Sequence, residues 1–417
     1  LESITLIEHE VLPIVPRRSG NQRAITAEQA RALEKLGKKL PGNVFSWGRD
    51  SVRFSQYCGI ICLGNLLLEV LPKIHGQEEE PGTCRKALIS MLIRARWLKL
   101  QRGGSAGIAL QKCALLDVFI LHFCDLLHEE IKQGMIRLYI ERNENLPVLR
   151  GRLLTEQQLK RNMVHKERLY CRYDELNADN IYNRIIKYVL KMMLKMPIGR
   201  EAKKKVTGLG MRFDDISDVK VDVRMINSLK FDRTTCRYEP VFNQCRWFVQ
   251  GVYPDVSVGQ NPCIALLFDM NRLFELYVAD MFRKATRTEG KTMQTQKPQK
   301  YMVRLKEQEK ELFLMKPDMV FLDKNNVFIA IADAKWKLLD ENEKKLGISQ
   351  ADLYQMAGYA IRYKVNRLAL VYPRQQSLQR PINLQIQGSG AFIKIIPVDV
   401  TAEKSNKDDS CRLLIRA

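Results

Sequence analysis

Apolar residues recur at three- and four-residue spacing through much of this chain. In two stretches they alternate or run together instead. The first such stretch, SWGRDSVRFSQYCGIICLGNLLLEVLPKI (46–74), predicts strands. It follows one helix, AEQARALEKLGKKL (27–40), whose start carries Thr26 and Gln29 in a capping-box arrangement and whose end is marked by Pro41-Gly42. HGQEEEPG (75–82) is charged, rich in turn formers and without apolar residues, so it predicts a boundary. After it the spacing is helical in TCRKALISMLIRARWLKL and KCALLDVFILHFCDLLHEEIKQG, mixed over 135–173, and helical again in ADNIYNRIIKYVLKMMLK, near 200–212 and near 240–250.

The last third changes character. FDMNRLFELYVADMFRKA (268–285) predicts a helix, and KTMQTQKPQKYMVRL, ELFLMKPDMVFLD and NNVFIAIADAKWK then read as strands. Asp323 to Asn326 supply a turn between the last two. The helix SQADLYQMAGYAIRYK (349–364) leads to the strand RLALVYP (367–373), which can pair in parallel after the crossover. The expected class is α/β, mixed α+β overall. The expected parts are a β-rich amino-terminal region (1–80), a mainly helical middle (81–255) and a domain with a mixed sheet flanked by helices (256–417).

Composition narrows the class. With 417 residues, 46% hydrophobic and 28% charged, the chain can bury more than one core. Its net charge of +21 favours a polyanion such as DNA or RNA, with plain solubility or an acidic partner protein as the alternatives. Ten scattered cysteines include no CxxC pair, which fits a reducing compartment and argues against an iron–sulfur centre; Cys58 and Cys62 fit one buried face. LESITLIEHE has early acids and no apolar core, and Asn65 and Glu69 interrupt the longest apolar run. A cytoplasmic protein without a membrane span is the expectation.

The candidate chemistry lies on the late strands. Asp318 follows Pro317 at the start of one strand, and Asp333 ends the next. A hairpin turning at 323–326 brings both carboxylates to one edge, where they could share a hard divalent cation such as Mg²⁺. Lys335, two positions on, points to the same side and could orient a water and stabilise negative charge. This is a PD-(D/E)xK pattern, suited to phosphodiester hydrolysis. An ordinary hairpin with surface acids is the competing reading. Glu275 sits among apolar residues on the preceding helix and is a candidate further ligand, or an exposed helix charge. Gln355 and Tyr359 share a face of the following helix, placed to brace the site or pack the core.

The runs FDMNRLFELYV, KPDMVFLDKNNVFIAIADAKWK, ADLYQMAGYA and LALVYP, in this order, resemble the McrC family, nuclease subunits of McrBC-type modification-dependent restriction systems. ENLPVLRGRL (144–153) and LYCRYDELNADNIYNRIIKYVL (169–190) resemble that family's middle region, while 1–130 do so more loosely. The resemblance implies a restriction-endonuclease-like fold, with Asp318 and Asp333 as metal-binding acids and Lys335 as the catalytic lysine. Glu275 and Gln355 fit the wider superfamily pattern. It also implies Mg²⁺-dependent cleavage of foreign or methylcytosine-containing double-stranded DNA. The implied partner is an McrB-like AAA+ GTPase ring that binds the GTP and is stimulated by this chain through its amino-terminal region. A non-cleaving assembly subunit and a stand-alone repair nuclease are the alternatives.

ATRTEGKT (285–292) ends like a phosphate-binding loop but has Ala285 where the first glycine belongs, and it follows a helix, so Gly290-Lys291 reads as a turn. His122, Cys124 and His128 lie close in sequence, yet no fourth zinc ligand is near. Arg142, Arg150, Arg152, Lys160 and Arg161 are candidate phosphate contacts, or solvent-facing charges.

Overall fold

The computed structural model describes residues 2–18, 22–74, 76, 80–98, 114–258, 261–337, 339, 347–375, 378–401 and 414. The chain divides into two compact units, Leu1–Leu115 with Pro254–Ala417, and Leu116–Tyr253. This differs from three consecutive parts: residues 1–80 and 256–417 share a unit, and no unit boundary falls in HGQEEEPG.

In the first unit, Thr26 and Gln29 form the capping box of the helix Ala27–Gly37; the Gln29 amide donates to Thr26 Oγ1 at 3.3 Å, and the Thr26 amide to Gln29 Oε1 at 2.9 Å. A sheet among the described residues runs in the order Glu2–Ile7, Leu66–Leu71, Tyr57–Leu63, Asn261–Asp269, Val252–Val258. Leu66–Leu71 is buried on both faces, which explains its unbroken apolar run. Its one acid, Glu69, accepts from Arg85 Nε at 2.7 Å, from the Leu115 amide at 3.0 Å and from Thr5 Oγ1 at 3.0 Å, so its burial is compensated. Gly59 allows close pairing: a Cβ there would lie 2.0 Å from the Leu266 carbonyl oxygen, and φ is +143°.

One sequence expectation is corrected here. Phe268 and Asp269 end a strand rather than begin a helix, because Asn261–Asp269 pairs antiparallel with Tyr57–Leu63, a long-range contact no local spacing announces. The helix is Met270–Thr288, and Asp269 caps it by accepting from the Asn271 amide at 2.9 Å.

The second sheet of this unit carries the candidate chemistry. Its order is Thr292–Thr295, Met319–Leu322, Phe328–Ala334, Arg367–Pro373, Phe392–Val398, Ile382–Gln385. Met319–Leu322 and Phe328–Ala334 are antiparallel, with Met319 opposite Ala332. Asp323 Oδ1 closes their turn by accepting from the Asn325 and Val327 amides, each at 2.8 Å, and Asn326 takes the left-handed conformation. The crossover helix Gln350–Tyr363 returns the chain to Arg367–Pro373, which pairs in parallel with Phe328–Ala334 as expected. Val320, Ile331, Met356, Tyr359, Leu368, Leu370 and Ile395 form one buried cluster. Each such aliphatic side chain contributes roughly 1.5–3 kcal/mol by leaving water. Phe282 packs on Phe321, with ring centres 5.1 Å apart, so the mixed sheet has the flanking helices the sequence implied.

In the second unit, the antiparallel strands Leu138–Leu146 and Leu169–Asn177 take Arg152–Leu153 beside them, and the helix Thr155–Arg161 lies next in sequence. Ile181–Leu194 turns Ile185, Ile186, Val189 and Met193 inward. Glu239–Gln250 does the same with Phe242 and Phe248, which meet the rings of Tyr182 and Phe123. No helix among the described residues is long and apolar enough to cross a membrane.

Candidate active site

The hairpin register places Asp318 just before Met319 and Asp333 just after Ala332, so two acids fifteen positions apart meet at one end of two central strands. Asp318 Oδ2 accepts the Ala334 amide at 2.9 Å, which fixes its carboxyl against the neighbouring strand. Asp333 is 2% exposed; its Oδ2 is buried with no hydrogen-bond donor in line, and its charge is met by Lys335 Nζ at 2.6 Å. Lys335 Nζ also donates to Gln355 Oε1 at 3.1 Å, and Gln355 Nε2 donates to the Tyr359 hydroxyl at 2.8 Å. Tyr359 itself is core, buried edge-on to Tyr363.

Electrostatics follow from this geometry. Burial, then the charges of Asp333 and Glu275, push the Asp318 carboxyl well above the usual range, against the Ala334 amide and Lys335. Burial also raises Asp333; Lys335 opposes this, while Asp352 and Glu275 add to it. For Lys335, burial alone would lower the ammonium, but Asp333 and Asp352 outweigh it and hold it above its ordinary value. The result is a lysine whose charged form is favoured beside two carboxyls that resist sharing negative charge.

Glu275 is near enough to act electrostatically on both acids, but its carboxylate is engaged elsewhere. It accepts from Arg272 Nη1 at 2.8 and 2.7 Å and from Gln296 Nε2 at 2.6 Å. Among the described residues no group of three or more His, Cys, Asp or Glu side chains is gathered as a metal site. The arrangement therefore offers two carboxylates, Asp318 and Asp333. Two hard oxygen donors fit Mg²⁺, which commonly keeps several waters and takes one or two protein carboxylates. The unaligned Asp333 oxygen and the mutual repulsion of the acids are what a cation at this point would relieve.

Two side chains of this site escaped sequence reasoning. Asp352, 6% exposed, accepts from Lys337 Nζ at 3.0 Å and lies 3.9 Å from Lys335 Nζ. Its sequence signal was the Ser349-x-x-Asp352 helix start, where the Asp352 amide donates to Ser349 Oγ at 3.2 Å. Gln296, in the left-handed conformation at φ 55°, donates its amide to the Asp318 carbonyl oxygen at 3.0 Å as well as holding Glu275. Nothing in its local sequence marked it.

The remaining candidates are dispersed. His122 and Cys124 are buried while His128 is exposed, on the helix Leu115–Lys132. Thr286 to Lys291 form a helix end and a turn, with Gly290 at φ +63°. Of the basic residues in the middle region, Arg142 and Arg150 lie 3.4 and 3.8 Å from Glu175, Lys160 pairs with Glu156, and Arg161 covers the Tyr170 ring. These contacts are local to the second unit, and Arg152 is exposed. Eight described cysteines are free thiols, seven of them buried, Cys58 and Cys62 included.

The family model described as McrBC 5-methylcytosine restriction system component matches residues 52–373. Among solved structures, a chain of a refined half-complex from a tetradecameric assembly of Thermococcus gammatolerans McrB AAA+ hexamers with bound McrC is similar. It has a TM-score of 0.77 at 20% identity, with 99% of each chain covered. A chain of the Thermococcus gammatolerans McrBC complex is similar over 68% of this chain and 88% of its own length, with a TM-score of 0.54 at 22% identity. At such identities the likeness is one of fold. No curated protein sequence matches significantly.

Proposed function

This chain belongs to the family of McrBC 5-methylcytosine restriction system components, and from that premise we propose that it is the DNA-cutting subunit of a GTP-driven restriction complex. The observation that carries this reading is the meeting of Asp318, Asp333 and Lys335 at one strand end. Asp318 and Asp333 would hold Mg²⁺, which supplies Lewis-acid neutralisation of the scissile phosphate and a more acidic bound water. Lys335, kept charged by Asp333 and braced by Gln355, orients the attacking water and stabilises charge that develops on the phosphate. Glu275 and Gln296 act behind Asp318, setting the field around it and the course of its backbone.

The partner in this reading is an McrB-like AAA+ ring, as in the assembly named for the structural relative. That ring would bind the GTP and select methylcytosine-containing double-stranded DNA, with this chain stimulating its hydrolysis. The resemblance placed the ring contact in the amino-terminal region; in the second unit Val148, Leu149, Leu159, Met163 and Val164 are exposed, Val164 to 85%, and we assign the contact to these apolar side chains instead. The test is cleavage of methylated and unmethylated DNA, with and without the ring partner, GTP and Mg²⁺. Cutting that requires all of them on methylated DNA supports the proposal; unchanged DNA with intact GTPase stimulation favours a non-cleaving assembly subunit.

A further inference from the structure

Trp336 follows Lys335 directly. Its ring is buried edge-on against Phe274, with ring centres 5.3 Å apart, on the helix that carries Glu275. A buried indole N–H needs an acceptor. Here the acceptor comes from the other end of the unit's sequence: Glu8 Oε2 takes the Trp336 Nε1–H at 2.9 Å across 328 positions. Glu8 is 2% exposed and lies just past the strand Glu2–Ile7, where its amide donates to the Leu71 carbonyl at 2.8 Å. The same Oε2 lies 3.5 Å from the Lys73 amide. The other oxygen, Oε1, lies 3.6 Å from His9 Nε2, so the carboxyl group is held between its own segment and the indole, to which it offers the acceptor a buried N–H needs.

That hold falls where the chain leaves the sheet. Lys335 is tied on one side by its amide to the Val371 carbonyl at 2.9 Å, and its next residue is tied on the other side by Glu8. We infer that Glu8 is a positioning residue of the nuclease centre: through Trp336 it fixes the segment that carries Lys335, so the amino-terminal strand end that carries Glu8 belongs to the cutting machinery. The inference rests on the nuclease reading above and adds to it a dependence on the amino-terminal segment.

The experiment is DNA cleavage by the full chain with its ring partner, GTP and Mg²⁺, comparing Glu8→Ala, Glu8→Gln and Trp336→Phe with the wild type and with Asp333→Asn. Misplacing a catalytic group is costly even from a distance, so Glu8→Ala and Trp336→Phe should each lower kcat about tenfold or more, with KM for DNA unchanged. Glu8→Gln keeps an acceptor oxygen and should stay within about threefold of wild type. The Glu8→Ala, Trp336→Phe double variant should be no slower than either single variant, because both remove the same bond. The inference is overturned if Glu8→Ala cuts at the wild-type rate, if its loss only tracks a smaller assembled fraction, or if Glu8→Gln falls as far as Glu8→Ala. Should Glu8→Ala not fold, Trp336→Phe, which keeps the ring packing, decides on the same rate criteria. If Asp333→Asn cuts as fast as wild type, it is the nuclease reading that has failed, and this inference falls with it.

Discussion

Lys335 Nζ lies 2.6 Å from Asp333 Oδ2, a contact in which the acid is 2% exposed and the lysine side chain 22%. Such a pair is held by the surrounding fold, so removing one member leaves the other stranded. Lys335→Met should therefore destabilise the protein by about 3 kcal/mol at neutral pH, as read by urea denaturation. The loss should shrink in acid, where Asp333 can take a proton instead. Cleavage should fall by at least two orders of magnitude, about the worth of one preorganised electrostatic group. Unchanged stability at neutral pH would show that the pair is not held as described.

Asp318 and Asp333 give a pH-dependent prediction. Asp318 has a folded pKa above its unfolded value near 3.9, so between those values the folded state holds more protons than the unfolded one. Its contribution therefore turns against folding as pH rises through that window. Asp318→Asn can still accept the Ala334 amide but carries no charge. In metal-free buffer it should melt at a higher temperature than wild type, with a larger gap at about pH 8 than at about pH 5. Mg²⁺ should raise the wild-type melting temperature by linkage and leave the Asp318→Asn variant nearly unmoved. A variant that melts lower at the higher pH would contradict the assigned effect of burial and repulsion on Asp318.

Gln355 tests the bracing of the lysine. Gln355→Ala removes the 3.1 Å acceptor of Lys335 and the donor to Tyr359. A cost of about 2 kcal/mol in stability and about tenfold in cleavage is expected, since one neutral bond and one charge-assisted bond are lost. Full activity would remove Gln355 from the site.

Much of this geometry was legible in the sequence, and the reasons are local. The turn residues Asp323 to Asn326, the apolar run IAIAD and the helix start at Ser349 each act within a few residues, so they fixed the hairpin, the crossover and the meeting of Asp318 with Asp333. What stayed hidden depends on distant pairing. The strand Asn261–Asp269 exists because Tyr57–Leu63 lies beside it, and Gln296 reaches Glu275 only after the sheet is assembled. Glu8 and Trp336 meet across almost the whole chain. Glu275 was found by its apolar setting, but the same reasoning could not see Arg272 and Gln296 claim its oxygens.

Val164 offers a test of the docking surface that leaves the nuclease centre intact. At 85% exposure its replacement by Asp should leave the melting temperature within about a degree, as for most surface changes. Co-purification with the ring partner and stimulation of its GTPase should fall together. Undiminished assembly would move the docking surface elsewhere.

The central claim is that Asp333 belongs to a cutting site. Its most direct measurement is cleavage of methylated DNA by the assembled complex carrying Asp333→Asn, with GTP hydrolysis followed in the same reaction. Loss of cutting by at least two orders of magnitude with GTP hydrolysis retained is the expected result. Cutting at the wild-type rate with GTP hydrolysis intact would contradict it.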